Sequence, residues 1–234
     1  MIDLDDFDVL TFDCYGTLID WETGLVAALR PILDASGVEA DAEAVLVRFG
    51  ALESELEAGP YLPYRAVLGR VLLGLGAEFG FKPTVEEIAT FAASVGSWPA
   101  FPDSKRSLRA LKTKYELGVI SNVDDDLFAG SSRQLGDPFS WVITAQQVRS
   151  YKPSVENFER AFETIGVPRD RILHVAQSLF HDVEPAKRLG LSTVWVNRRA
   201  GKEGGGATPA SLAVPDLEVE DLATLAACAG VTSF

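Results

Sequence analysis

Cysteine is scarce in this 234-residue chain, with only Cys14 and Cys228, and two residues so far apart offer neither a metal-ligand spacing nor a disulfide framework. A reducing compartment suits such a chain. No apolar run approaches the roughly 18–20 residues that a membrane span needs. Basic side chains are also in deficit, 21 Lys and Arg against 34 Asp and Glu, for a formal charge of -13. That charge repels phosphate backbones and anionic lipid, and no local basic patch offsets it, so neither nucleic acid nor membrane is an expected partner. The segment Met1–Asp6 is acidic and lacks the basic flank and apolar stretch of a secretory signal, which makes the cytoplasm the expected location.

Apolar residues make up 47% and charged residues 24%, the composition of a soluble protein with a substantial core. Hydrophobic periodicity then divides the chain. Residues 8–12 form a β-prone run that ends at the turn Cys14-Tyr15-Gly16. From about 20 to 98 the pattern is helical, with Val45, Phe49, Leu52 and Leu56, then Val67, Leu68, Val71, Leu72 and Leu75, at spacings of three and four. After residue 98 helices and strands alternate. Leu108, Leu111 and Tyr115 give a helix face, 117–120 and 141–144 read as strands, Phe158, Phe162 and Ile165 as a helix, 172–176 as a strand, 184–189 as a helix and 193–196 as a strand.

Strands separated by helices pair in parallel through right-handed crossovers, so the expected fold is α/β, a doubly wound, Rossmann-like parallel sheet. Residues 1–19 and 99–234 form its core and 20–98 a helical cap domain inserted after the first strand, over the crevice at the strands' carboxyl ends. Four strand ends carry polar residues: Asp13, Ser121-Asn122, Lys152 and Asp182. Scattered in sequence, they converge in this topology, which marks them as a candidate site. The Gly-rich stretch Arg198–Gly206 lacks the spacing of a nucleotide loop and reads as a flexible loop. His174 lies within an apolar strand and reads as a satisfied core residue, His181 borders the site, and Cys14 is expected to be buried and inert.

Asp13-Cys14-Tyr15-Gly16-Thr17-Leu18, then Ser121-Asn122, Tyr151-Lys152-Pro153 and Asp182 resemble the four ordered motifs of the haloacid dehalogenase superfamily, over nearly the whole chain. The resemblance implies a hydrolase in which Asp13 attacks the substrate to give an aspartyl ester or aspartyl phosphate that water then cleaves. Thr17 would hold the Asp13 rotamer, Lys152 would keep Asp13 ionised, and Asp182 would orient or deprotonate the water. Ser121 and Asn122 are placed to donate to a substrate carboxylate or phosphate, and Arg48 resembles the dehalogenase cap arginine that would hold a halide or a carboxylate. Trp21, at the start of the cap, either lines the pocket or packs the hinge.

Phosphatases of this superfamily keep a second Asp two residues after the nucleophile to protonate the leaving alkoxide. Here Tyr15 stands there, and a phenol with a pKa of about 10 is a poor acid for that step. A halide leaves without a proton. Asp-x-Tyr-Gly-Thr is the form seen in the superfamily's 2-haloacid dehalogenases. Gln177 replaces an acid of the fourth motif, which weakens a magnesium site; a phosphatase reading would leave Asp13, the Tyr15 carbonyl and Asp182 as ligands. Those dehalogenases carry Ser-x-Asn where this chain has Gln177 and Leu179, and Tyr where it has Phe158. Three readings stand: a cofactor-independent dehalogenase of a small 2-haloalkanoic acid, with Tyr15, Arg48 and Gln177 at an anionic substrate; an Mg2+-dependent phosphatase; and a non-catalytic binding protein. The apolar surface of the cap also offers a homodimer contact.

Overall fold

The computed structural model describes residues 2–200 and 211–231. Six strands form one parallel sheet: β1 (Val9–Phe12), β2 (Glu116–Ser121), β3 (Trp141–Thr144), β4 (Ile172–Ala176), β5 (Ser192–Val196) and β6 (Leu217–Val219). Their spatial order is β3-β2-β1-β4-β5-β6. β1 pairs with β2 on one side and β4 on the other, so the connections reverse direction beside β1 and open a crevice at its carboxyl end. The central strands β1 and β4 are buried on both faces, as the middle of a parallel sheet requires. Leu10 and Phe12 contribute to the larger core and Val9 to the smaller one, following the two-residue period of a strand.

β6 was not anticipated. Three residues with one exposed side chain are too short to show a period. Tyr115 also departs from expectation: α5 (Ser104–Leu111) stops before it, and its ring is buried in the connection to β2 with the hydroxyl donating to the Leu4 carbonyl at 3.1 Å. In the stretch read as a flexible loop, residues 201–206 lie outside the described residues. Arg198 is half-buried, paired to Asp103 at 2.8 Å and donating to the Thr17 carbonyl at 2.8 Å.

Four helices fill the segment after β1: α1 (Trp21–Ala35), α2 (Ala42–Glu57), α3 (Tyr64–Phe79) and α4 (Val85–Ala93). The chain leaves and re-enters the sheet through adjacent segments, bridged at Ile19 and Ala100 and by Phe101 N–H to the Leu18 carbonyl at 3.0 Å. The remaining helices are α6 (Asp125–Leu135), α7 (Ala145–Val148), α8 (Glu156–Ile165), α9 (Glu184–Arg188) and α10 (Leu222–Cys228). No helix among the described residues is long and apolar enough to cross a membrane.

Among the contacts that tie the helical segment to the sheet is one at the start of α3. Pro63 precedes α3 and has no side chain that could cap it, so the helix's first N–H groups need another acceptor. Asp124, in the turn after β2, supplies it, accepting from Tyr64 N at 2.9 Å and Arg65 N at 3.0 Å while 4% exposed. A carboxylate at a helix N-terminus is also favoured by the helix dipole. Asp124→Ala strands both donors and is expected to cost about 2–4 kcal/mol, read as a lowered denaturant midpoint with an unchanged slope.

Candidate active site

Asp13 follows β1 and is 7% exposed. Its two oxygens are held separately: Oδ2 accepts from Thr17 Oγ1 at 2.7 Å, and Oδ1 from Lys152 Nζ at 2.8 Å. Thr17 is oriented in turn, because its hydroxyl accepts from Gln177 N at 2.8 Å. Between Asp13 and Thr17 the chain turns at Gly16 with φ of +95°, a region that side chains disfavour. A Cβ there would also lie 3.1 Å from Gln177 Oε1 and 3.2 Å from Trp21 Nε1, close enough that both side chains would have to shift.

Lys152, in the loop between α7 and α8, is 2% exposed, and all three of its ammonium donors are used. They reach Asp13 at 2.8 Å, Asp182 Oδ1 at 2.6 Å and the Ile120 carbonyl at 2.8 Å. Its backbone is clamped by Asn122, which accepts from Lys152 N at 2.8 Å and donates to Lys152 O at 3.1 Å. Asp182 sits in a single π-helical turn, Leu179–Val183, started by Ser178, whose hydroxyl accepts from His181 N at 2.9 Å. The Asp182 carboxylate also meets His174 Nε2 at 3.1 Å. With the proton on Nε2, His174 donates to Asp182 and its Nδ1 accepts from Thr11 Oγ1 at 3.0 Å.

The electrostatics follow from two carboxylates sharing one ammonium in a dry site. Burial pushes the Asp13 carboxyl up, and Lys152 and Thr17 act against that shift. Burial also acts on Asp182, but Lys152 and His174 outweigh it and bring the group down to about 2. Burial disfavours the Lys152 ammonium, yet Asp13 and Asp182 more than reverse this and hold it charged. Burial drives His181 down to about 4, so it is neutral near pH 7. The Tyr15 phenol is pushed well up by burial, and its hydroxyl is tied to Ser131 Oγ at 3.0 Å while the ring meets Trp98 edge-on at 5.9 Å.

A cavity of about 80 Å³ opens over these groups, lined by Asp13, Tyr15, Trp21, Glu53, Ser54, Glu57, Tyr64, Trp98, Asn122, Lys152, Gln177, Ser178, His181 and Asp182. Of the residues singled out in the sequence, Asp13, Tyr15, Trp21, Asn122, Lys152, Gln177, His181 and Asp182 thus meet around one space, with Thr17 directly behind Asp13. Two do not. Ser121 ends β2 only 2% exposed, off the cavity wall, its hydroxyl without a partner among the described residues. Arg48 is on the outside of α2, paired with Glu78 of α3. The reason is helical phase: Arg48 and Glu53 are five residues apart, about 140° around a helix, so only one can face the site.

Glu53 and Glu57 occupy the face expected for the arginine. Four residues apart, they share one face. Glu53 accepts from Tyr64 Oη at 2.6 Å and Glu57 from Asn122 Nδ2 at 3.1 Å. His174 was expected to be a satisfied core residue and is one, but its contact with Asp182 was not anticipated. Cys14 is fully buried, and burial raises its thiol well above the ordinary range, leaving it inert.

Residues 7–190 match the family of haloacid dehalogenase-like hydrolases. The chain belongs to that family. Among curated relatives, (S)-2-haloacid dehalogenase H-109 of Pseudomonas putida is 30% identical over 124 residues, 52% of this chain and 53% of that protein. The 5-amino-6-(5-phospho-D-ribitylamino)uracil phosphatase YigB of Escherichia coli is 33% identical over 121 residues, 51% of this chain and 48% of that protein. The chain thus spans about half the length of the first curated relatives it matches. In structure, the L-2-haloacid dehalogenase of Xanthobacter autotrophicus with chloropropionic acid covalently bound superposes with a TM-score of 0.80 at 22% identity, over 94% of this chain and 97% of that one. At that identity the likeness establishes the fold.

Lys152→Met leaves two buried carboxylates without a counter-charge. It is expected to cost about 3–5 kcal/mol in denaturant unfolding, and a loss under 1 kcal/mol would contradict the arrangement. Asp182 has a folded value near 2, below the ordinary 3.8, so its ionised form stabilises the fold above about pH 4 and that contribution is lost as pH falls through about 2. The stability advantage of wild type over Asp182→Asn should therefore shrink between those limits.

Proposed function

We propose that the enzyme hydrolyses a carbon–halogen bond in a small 2-haloalkanoic acid or a close derivative of one, through an ester on Asp13 and without a metal. The observation that carries this reading is Tyr15. The position two residues after Asp13 holds a half-buried phenol engaged with Ser131 and Trp98, so no acid there serves a leaving alkoxide. A departing halide needs none. The names of several relatives, 2-haloacid dehalogenases, support the same class of reaction.

In this reading an Asp13 oxygen attacks the halogen-bearing carbon, a C–O bond forms as the C–X bond breaks, and the halide leaves with the bonding pair. Thr17 and Lys152 fix the attacking carboxylate, which supplies the proximity that a weak nucleophile needs. Water then adds to the ester carbonyl carbon, releasing the alcohol product and one proton and restoring the Asp13 carboxylate. Asp182, ionised and held by Lys152 and His174, orients that water. The helices of 20–98 act as a cap, since Trp21, Glu53, Glu57 and Tyr64 form one wall of the cavity.

The donor set fits magnesium poorly. Gln177 replaces a carboxylate, and among the described residues no group of three or more His, Cys, Asp and Glu gathers as a ligand cluster. No step is routed through a metal. The test is chloride release from 2-chloropropionate and 2-chloropropionamide with EDTA present, beside phosphate release from an aryl phosphate with Mg2+. Chloride release that survives EDTA and falls by about 10³-fold or more in Asp13→Asn is expected. Magnesium-dependent phosphate release with no chloride release would reject this reading and favour the phosphatase that YigB exemplifies.

A further inference from the structure

Among the described residues, the cavity wall offers no cation with a spare donor for an anionic substrate. Lys152 is the only Lys or Arg among the described residues that line it, and the three donors of that ammonium are spent on Asp13, Asp182 and the Ile120 carbonyl. His181 is uncharged near neutral pH, and Arg48 is outside with Glu78. In their place stand Glu53 and Glu57. Each has one oxygen held by a fixed neutral donor, Tyr64 or Asn122, and the other without a partner among the described residues. Both residues line the cavity, so these free acceptors are available to whatever occupies it.

We propose that Glu53 and Glu57 select a substrate whose group beside the reacting carbon donates hydrogen bonds, such as a carboxamide, and discriminate against a carboxylate. This rests on the reading of the cavity as the reaction site. Once Glu53 is ionised, a carboxylate placed there meets it beside two further carboxylates, Asp13 and Asp182, with no free cation among the described residues of the wall, and like charges at close range in a water-poor site repel strongly. An amide N–H group instead completes the free oxygens, and a hydrogen bond to a charged acceptor is among the stronger kinds.

Protonation gives the pairing a pH dependence. The titratable and charged groups that face the two glutamates are Tyr64 from α3, Asp13 and Tyr15 after β1, Tyr151 and Lys152 after β3, and His181 and Asp182 after β4, and Arg149 at the end of α7 lines a neighbouring hollow with Glu57. Burial pushes Glu53 up to about 7, and burial together with the neighbouring Glu53 pushes Glu57 well above its ordinary range against the opposing pull of Asn122 and Lys152. At low pH both are carboxylic acids that can donate to an anion. As pH rises past about 7 Glu53 loses its proton, a carboxylate ligand is repelled, and the preference for an amide widens.

Propionamide and propionate are nearly isosteric, unreactive probes, and their dissociation constants for the wild-type enzyme, from ligand-observed NMR, test the proposal. Propionamide should bind about 10-fold tighter or more near pH 8, with the ratio narrowing towards about pH 6. Glu53→Gln and Glu57→Gln keep an oxygen for Tyr64 and Asn122 but cannot ionise, so Glu53→Gln removes the charge present above about pH 7. Each should cut the ratio, and the double variant should bring it to about 1 or reverse it. If the double variant does not fold, as judged by melting, the single variants decide. Equal binding, tighter propionate, no detectable propionamide binding, or a ratio that the substitutions leave unchanged overturns the proposal. Because neither probe reacts, the outcome is independent of the bond that is broken. An amide preference without chloride release from any substrate would sink the carbon–halogen reading alone, and tighter propionate with rapid chloride release from 2-chloropropionate would sink this inference alone.

Discussion

A single buried ammonium, that of Lys152, constrains the rest of the site. It makes contacts of 2.6–2.8 Å with groups from three strand ends: the Asp13 carboxylate after β1, the Ile120 carbonyl of β2 and the Asp182 carboxylate beyond β4. Taking an ammonium out of water costs several kcal/mol unless its charge and its donors are both satisfied. Here they are satisfied completely, by groups that only this strand order brings together. The same saturation has a functional consequence, since a cation with no spare donor holds its own carboxylates and cannot also bind a substrate anion.

Around that centre, the supporting contacts serve position more than charge. Asn122 clamps the Lys152 backbone from both sides, Gln177 N–H orients Thr17, and His174 holds Asp182 with its own ring fixed by Thr11. Arg198 reaches from beyond β5 to the Thr17 carbonyl. The nucleophile candidate is thus fixed on both oxygens before any substrate arrives, so little reorganisation is left for the reaction itself. Asp124 extends the same order into the helical segment by capping α3, whose Tyr64 in turn holds Glu53 against the cavity.

Much of this was legible in the sequence, and the failures have physical causes. β1 to β5 showed as apolar runs between turn residues, and the meeting of Asp13, Lys152 and Asp182 followed from placing each at a strand's carboxyl end. β6 was too short to register. Arg48 was assigned inward on its resemblance to a cap arginine, whereas its phase about 140° from Glu53 turns it out; the same arithmetic applied to Glu53 and Glu57 could have found them. Asn122 and Ser121 are adjacent, and the strand's alternation sends only one of them to the cavity, a choice that depends on where β2 ends. The contacts of His174 with Asp182 and of Arg198 with Thr17 span tertiary structure and leave no local signal.

Asp13 as the covalent nucleophile is the claim on which the account rests, and a single turnover in H2-18O with enzyme in excess over substrate tests it most directly. If Asp13 attacks carbon and water then attacks the ester, the product hydroxyl carries unlabelled oxygen from Asp13, and mass spectrometry of the digested enzyme finds 18O in the peptide containing Asp13. Label appearing in the product after that first turnover, with an unlabelled Asp13 peptide, would show that water attacks the substrate directly and would contradict the account.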